Sequence, residues 1–264
     1  MSNEASDEAL VLRQDRDGVA TLTLNRPSAR NALSVGMMSA LQAALDTIAA
    51  DKSVRVVILA GAGPAFCAGH DLKELRANPG RQAYEAVFGQ CAKLMTSIVM
   101  LPKPVIARVH GVATAAGSQL VASCDLAVAA DDARFATPGV NIGLFCSTPM
   151  VALSRAIGRK QAMEMLLTGS LIDAETARGW GLINRVVPAA QLEDATAALA
   201  AEIAAKSPLT VAIGKKAFYA QAELGLEQAY AYCAEVMTTN MLARDAEEGI
   251  DAFLQKRKPV WEGR

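Results

Sequence analysis

Val54-Arg55-Val56-Val57-Ile58-Leu59-Ala60 is a nearly continuous apolar run, and it leads into Ala65-Phe66-Cys67-Ala68-Gly69-His70-Asp71-Leu72-Lys73-Glu74-Leu75. Val105-Ile106-Ala107-Arg108-Val109 leads in the same way into His110-Gly111-Val112-Ala113-Thr114-Ala115-Ala116-Gly117-Ser118-Gln119-Leu120. An apolar run without alternation reads as a strand covered on both faces, the mark of a parallel sheet. Each run passes through small residues, which allow a close approach to the main chain, and then opens a helix. A helix start presents unpaired N–H groups and positive potential. Two such starts aimed at one point can hold a developing oxyanion. Ordinary packing of strand-to-helix turns also explains the small residues, and composition alone favours that plainer reading.

The neighbouring pattern repeats the alternation. Residues 11–13 and 18–24 read as a hairpin around Asp17-Gly18. A helix from about Ser34 places Met38, Leu41, Leu45 and Ile48 on one face. Leu126-Ala127-Val128-Ala129 and the weaker Ile183-Asn184-Arg185-Val186-Val187 add strands, and helical stretches fall near 70–76, 82–100, 115–124 and 159–168. Strands alternating with helices predict an α/β architecture. From about residue 189 the pattern is helical, with Ser207-Pro208 as an N-cap and first-turn proline and last helices over about 226–257. The expected organisation is an α/β core over 1–190 and a helical region over 191–264.

Composition narrows the function. Hydrophobic residues are 52% and charged residues 20% of 264 residues, with a net charge of −1. That excludes a disordered chain and offers no basic excess for nucleic acid. Five cysteines without a CxxC pair and two histidines argue against a disulfide framework or a zinc site. The N-terminal MSNEASDEAL is acidic and has no apolar core, unlike a signal or transit peptide. The uncharged run from Phe135 to Ser154 contains prolines and glycines, so it reads as buried loop and helix at a site and not as a membrane span. A soluble, cytoplasmic protein is the expectation. Gly61-Ala62-Gly63-Pro64-Ala65-Phe66 fails the dinucleotide fingerprint at its sixth position, and neither a phosphate loop nor a GxSxG elbow occurs. Cys67 lies three residues before His70, but a small apolar core cysteine is the simpler reading.

The two strand–loop–helix segments resemble the oxyanion loops of the enoyl-CoA hydratase/isomerase (crotonase) superfamily. The likeness covers nearly the whole chain. It includes Asn25-Arg26-Pro27 with Asn31-Ala32-Leu33, and Phe253-Leu254-Gln255-Lys256-Arg257-Lys258. Gly69–Leu75 and Ala136–Pro149 resemble, almost residue for residue, the subgroup typified by enoyl-CoA hydratase domain-containing protein 3. The resemblance implies a crotonase (ClpP-like) spiral of ββα units with C-terminal helices that form trimers, or hexamers of two trimers. It implies an acyl-CoA thioester as ligand and no separate cofactor, coenzyme A being part of the substrate. It implies an oxyanion hole from the backbone N–H groups of His70 and Ala116, next to Gly117. Ala68, Asp71, Leu72 and Lys73 would follow the adenine and pantetheine path, with Gly139 and Asn141 also at the ligand. Lys256 would reach the CoA of a neighbouring subunit, although a solvated charge run explains it too.

The chain departs from the family where hydratases carry two glutamates. Those positions are Gln119 and Gly139, and no Glu occurs between Glu85 and Glu164. Gln cannot cycle a proton near neutral pH and Gly has no side chain. Asp125, Asp131 and Asp132 are nearby acids better suited to turns and ion pairs. Three readings stay open. One is an enzyme needing only enolate stabilisation, such as a malonyl-type decarboxylase with His70 assisting. Another is a hydratase or isomerase using His70, Cys146 or water held by Gln119 and Asn141. The third is a non-catalytic acyl-CoA binder. The segment 76–92 falls where the family's acyl pocket varies most, with its Arg76 and Arg81 as candidates for a substrate carboxylate or as exposed loop residues.

Overall fold

Asp17 and Gly18 close the first hairpin with φ of 50° and 79°, a tight turn that glycine adopts without strain. The structure, a computed structural model, describes residues 9–264, so nearly all of the acidic N-terminal stretch lies outside the described residues. The strands are β1 Val11–Arg16, β2 Val19–Leu24, β3 Val56–Gly61, β4 Val105–Val109, β5 Val112–Thr114, β6 Leu126–Ala130, β7 Arg134–Ala136, β8 Ile172–Asp173 and β9 Arg185–Val187. The first seven helices are α1 Val35–Ala50, α2 Leu72–Ala77, α3 Arg81–Met100, α4 Ala116–Ser123, α5 Ser147–Ala156, α6 Arg159–Thr168 and α7 Ala174–Trp180. The last four are α8 Leu192–Ala204, α9 Pro208–Gln221, α10 Leu226–Met241 and α11 Arg244–Leu254.

The larger sheet has the order β1-β2-β3-β4-β6-β9. Only its β1–β2 pair is antiparallel. Its central strands are apolar apart from the half-buried Arg108 of β4, because both faces are covered. Val57, Leu59, Val105 and Ala107 pack in one cluster with Leu41 of α1, Leu94 and Ile98 of α3 and Leu120 of α4. Val56, Ile58, Ile106 and Val128 face the other way, against Leu192, Leu199 and Ala200 of α8. Thus α8, which sequence grouped with the helical region after residue 190, completes the α/β core. The helices beyond it are α9, α10 and α11, and Leu242-Ala243 breaks the stretch expected over 226–257.

A second sheet, β5-β7-β8, has no counterpart in the pattern of the sequence. Its strands have three residues or fewer, too short for any periodicity to register. β7 also changes the reading of Phe135–Ser154. That run begins in a strand, passes through a 3-10 turn over Pro138–Ile142 and ends in α5. It is only partly buried, since Ile142, Leu144 and Phe145 are exposed.

Asp125 fastens α9 to the core. Its carboxylate accepts from Val105 N at 2.7 Å, Lys215 Nζ at 2.7 Å and Tyr219 OH at 3.0 Å. Lys215 also donates to Ile98 O and Lys103 O, each at 3.0 Å. Burial pushes the Lys215 amine's pKa down and the Asp125 carboxylate opposes it. Removing one member of a buried pair leaves the other charge uncompensated. Lys215→Ala is therefore expected to cost about 3 kcal/mol in denaturant unfolding, and a wild-type midpoint would refute that anchoring role.

Candidate active site

The segment 67–71 is held from behind by residues 25–33. Arg30 and Asn31 have φ of 49° and 54°, a left-handed step that asparagine tolerates. The Asn31 side chain is fully buried. Its Oδ1 accepts from Arg26 N at 2.9 Å, and its Nδ2 donates to Ala62 O at 2.9 Å and Ala65 O at 2.7 Å. Leu33 N donates to Gly69 O at 2.7 Å, and Asp71 N donates to Leu33 O at 3.2 Å. This one parallel bridge pairs Leu33 with His70 and uses neither the N–H nor the C=O of His70. Arg26 meets Asp71 at 2.6 Å, while Asp71 Oδ1 caps α2 by accepting from Lys73 N at 3.0 Å and Glu74 N at 3.2 Å. The Arg26 guanidinium holds the Asp71 carboxyl below its ordinary range.

The second loop is docked on the first. Cys67 N donates to Val112 O at 3.1 Å, Thr114 N donates to Cys67 O at 3.0 Å, and Thr114 Oγ1 donates to Ala68 O at 3.1 Å. Ser118 Oγ, buried at the start of α4, lies 2.7 Å from Ala113 O and 2.9 Å from Ala136 O and shares its one proton between these two acceptors. Ala115 takes φ 51° and ψ −116° and opens α4 without a side-chain cap. Such a conformation typically costs about 1–3 kcal/mol and persists only where its surroundings enforce it. Gly69, at φ 97°, lies so near that a Cβ there would be 2.9 Å from Ala115 Cβ and 3.4 Å from Ala116 N. A Cβ on Gly117 would fall 2.0 Å from Cys67 O. These glycines serve contact between the loops, so the plain packing reading of the small residues holds for both. The amides of His70 and Ala116 donate to no group among the described residues. Both residues border one cleft.

That cleft has a volume of about 490 Å³ and is lined in part by Ala68, Leu72, Leu75, Phe88, Asn141, Phe145 and Cys146. The His70 ring meets Phe88 edge-on, with centroids 5.5 Å apart and planes at 88°. Its Nε2 is buried without a hydrogen-bond partner. Burial lowers the imidazole's pKa, so the neutral form prevails at pH 7. Burial raises the Cys146 thiol's pKa in the same way. Cys67 is pushed up to about 12, which leaves it an inert core thiol rather than a partner for His70.

The remaining candidates divide. Ala68, Leu72, Gly139 and Asn141 line the cleft; Asp71, Lys73, Gly117, Gln119 and Lys256 do not. Asp71 is occupied by Arg26 and the α2 cap, and Lys73 is exposed in the first turn of α2. Gln119 is buried, and Cys91 Sγ donates to its Oε1 at 3.9 Å. Lys256 follows α11 in the left-handed region and is exposed. A Cβ at Gly139 would lie 2.6 Å from Leu144 O and 2.8 Å from Cys146 Sγ. Neither Arg76 nor Arg81 lines the cleft, and Arg81 pairs with Glu85 at 2.8 Å. Sequence reasoning did not single out Leu75, or Phe88 within the segment 76–92; both are ordinary apolar residues until α2 and α3 bring them to the cleft, where Phe88 meets the His70 ring.

A family model described as enoyl-CoA hydratase/isomerase matches residues 14–264. The crystal structure of an enoyl-CoA hydratase from Mycobacterium smegmatis is 57% identical with a TM-score of 0.94, covering 96% of this chain and 99% of that one. Enoyl-CoA hydratase domain-containing protein 3, mitochondrial, of Xenopus laevis is 49% identical, covering 98% of this chain and 88% of that protein. Its Homo sapiens namesake is 50% identical, covering 93% of this chain and 81% of that protein. Those two relatives are named mitochondrial, which overturns the cytoplasmic expectation. Compartment is set by addresses that receptors read, and the composition of a folded core does not carry it. With the match running through both loops and to the last residue, this chain belongs to the enoyl-CoA hydratase/isomerase family and has the crotonase fold.

Proposed function

We propose that this protein binds an acyl-CoA thioester and polarises its carbonyl between the backbone N–H groups of His70 and Ala116, stabilising an enolate. The observation that carries this reading is the pair of acceptor-free amides on one apolar cleft. Fixed donors of this kind act without reorganisation when charge develops, and one is typically worth about 10²–10³-fold in rate. Ala68, Leu72 and Lys73 would lie along the adenine and pantetheine path. Asp71 acts on that path through its cap and Arg26, and Gly117 by letting the second loop close on the first. Lys256 would serve a neighbouring copy's ligand. Helix α10 buries none of its 16 residues, leaving Leu226, Tyr230 and Met237 open, which supports assembly into a homotrimer or a hexamer.

Hydration by two carboxylates is proposed to be weak or absent. Gln119 cannot cycle a proton, and at Gly139 there is neither a side chain nor space for one. Each such group is typically worth about 10²–10⁴-fold. The titratable side chains lining the cleft are His70 and Cys146. This favours a second reading, in which the neutral imidazole takes over proton transfer in an isomerase- or lyase-type reaction.

Binding of butyryl-CoA labelled with ¹³C at the thioester carbonyl tests the proposal by difference infrared spectroscopy. The carbonyl band is expected to move to lower frequency on binding, and an unshifted band in a bound ester would refute the oxyanion hole. His70→Ala is expected to keep the shift, because the backbone donor survives, while any turnover that needs the imidazole falls by about 10²-fold or more. Crotonyl-CoA hydration by the wild type should stay near background, and Gln119→Glu alone should leave it there. Robust wild-type hydration would show that another group replaces the two carboxylates. Light scattering on the purified protein should give three or six times 27.7 kDa, and a monomer would reject the assembly.

A further inference from the structure

Val54-Arg55 leads into β3, and Pro102-Lys103 lies just before β4. The two strands are parallel, and their far ends lead toward the loops of His70 and Ala116. The leading segments therefore lie at the edge of the sheet away from the cleft. There they border a cavity of about 370 Å³, together with the end of α1, the start of α9 and Trp261-Glu262-Gly263. Three cations stand on its lining: Lys52 is exposed, and Arg55 and Lys103 are half-buried. None of them pairs with a carboxylate among the described residues. Asp51 is held by Arg13 at 2.7 Å. Glu262, the one acid on the lining, is held by Arg264 at 2.6 Å and lies 3.6 Å from Arg244.

Lys103 donates to Ile48 O and Asp51 O, which closes the C-terminal end of α1 and leaves it one N–H. Arg55 donates to Ala204 O at 3.0 Å, which uses one of the five N–H groups of a guanidinium. Burial pushes the Lys103 amine's pKa down, an effect that an anion beside it would oppose. Each cation has an ordinary role taken singly. Three of them around one cavity repel one another unless an anion offsets the charge.

We propose that this cavity is a second binding site, for a small organic molecule bearing a phosphate group. The forked donors of Arg55 match phosphate oxygens, and Lys52 and Lys103 add point charges. Val54, Leu209 and Trp261 offer an apolar wall to the organic part. The site lies across the sheet from the proposed oxyanion donors and does not depend on the acyl-CoA reading. Its walls come from the core, from α9 and from the chain after α11, so an occupant ties the helical region to the sheet.

Phenyl phosphate is the probe. The chain has two tryptophans, Trp180 and Trp261, and Trp180→Phe leaves the indole on the cavity as the sole reporter. Titrating that variant at constant ionic strength is expected to change its fluorescence saturably at millimolar concentrations and to raise its unfolding midpoint. Phenol, which has the ring without the charge, and benzoate, with a single charge, should each bind about tenfold weaker or worse. Lys52→Glu in the same background alters an exposed side chain, so the fold is kept. It removes an attraction and adds a repulsion, and should weaken phenyl phosphate about tenfold. Lys160→Glu, an exposed reversal on α6 away from the cavity, should leave the affinity unchanged. The proposal is overturned by an absent or unsaturable response, by phenol or benzoate binding as tightly, or by an unweakened Lys52→Glu variant. An equal loss in Lys160→Glu would overturn it too, by showing attraction to net charge and no site.

Discussion

Leu33 donates to Gly69 O and accepts from the amide of Asp71, and that pair of hydrogen bonds turns the amide of His70 away from the chain behind it. The proposed oxyanion role of this amide depends on this constraint. A donor of that kind is useful only if its N–H is both unpaired and fixed, and these two demands conflict in most loops. Here a single parallel bridge fixes His70 through its neighbours while leaving its own amide free. Asn31 makes the bridge rigid. It is a buried amide satisfied on both its oxygen and its nitrogen, and it ties residues 26, 62 and 65 into one unit. The Asn25-Arg26-Pro27…Asn31-Ala32-Leu33 pattern is therefore a mounting for the first loop.

The second donor is positioned by contact with the first loop and not by an independent scaffold. Gly117 lets the start of α4 lie against Cys67 O, and Gly69 lets the first loop lie against Ala115 and Ala116. Ala115 holds an unfavourable backbone conformation at this junction. The neighbouring hydrogen bonds from Thr114 and Ser118 keep it there. The strain, the close approach and the free amide occur within three residues, as expected where the fold spends stability on pre-organisation.

The cleft around these amides carries little charge. Its lining holds no carboxylate and no cation, and burial keeps the imidazole neutral. A Cβ at Gly139 would lie 2.6 Å from Leu144 O and 2.8 Å from Cys146 Sγ, so the turn after Pro138 closes the space that a side chain would need. On the resemblance, Gln119 and Gly139 stand where hydratases carry two carboxylates, so the proposed weakness in acid–base chemistry and the low charge of the cleft share one cause.

Much of this was legible in the chain. Val54–Ala60 and Val105–Val109 are apolar except at Arg55 and Arg108 because helices cover both faces of the sheet, and local pattern records that directly. The loops were legible as small residues followed by helix starts, and the expectation that both glutamates are absent rests only on the identities at 119 and 139. Other features were decided by the tertiary structure. The three short strands of the second sheet, the place of α8 under the first, the turning of Gln119 toward Cys91 and the closure of Gly139 all depend on contacts between distant segments. Sequence placed Asp71 on the ligand path by resemblance but did not record that it caps α2 and pairs with a residue 45 positions earlier. Local periodicity and propensity describe which face of an element is buried. They do not describe which loop lies against which, because that follows from strand register and from the few tenths of an ångström by which two backbones can approach.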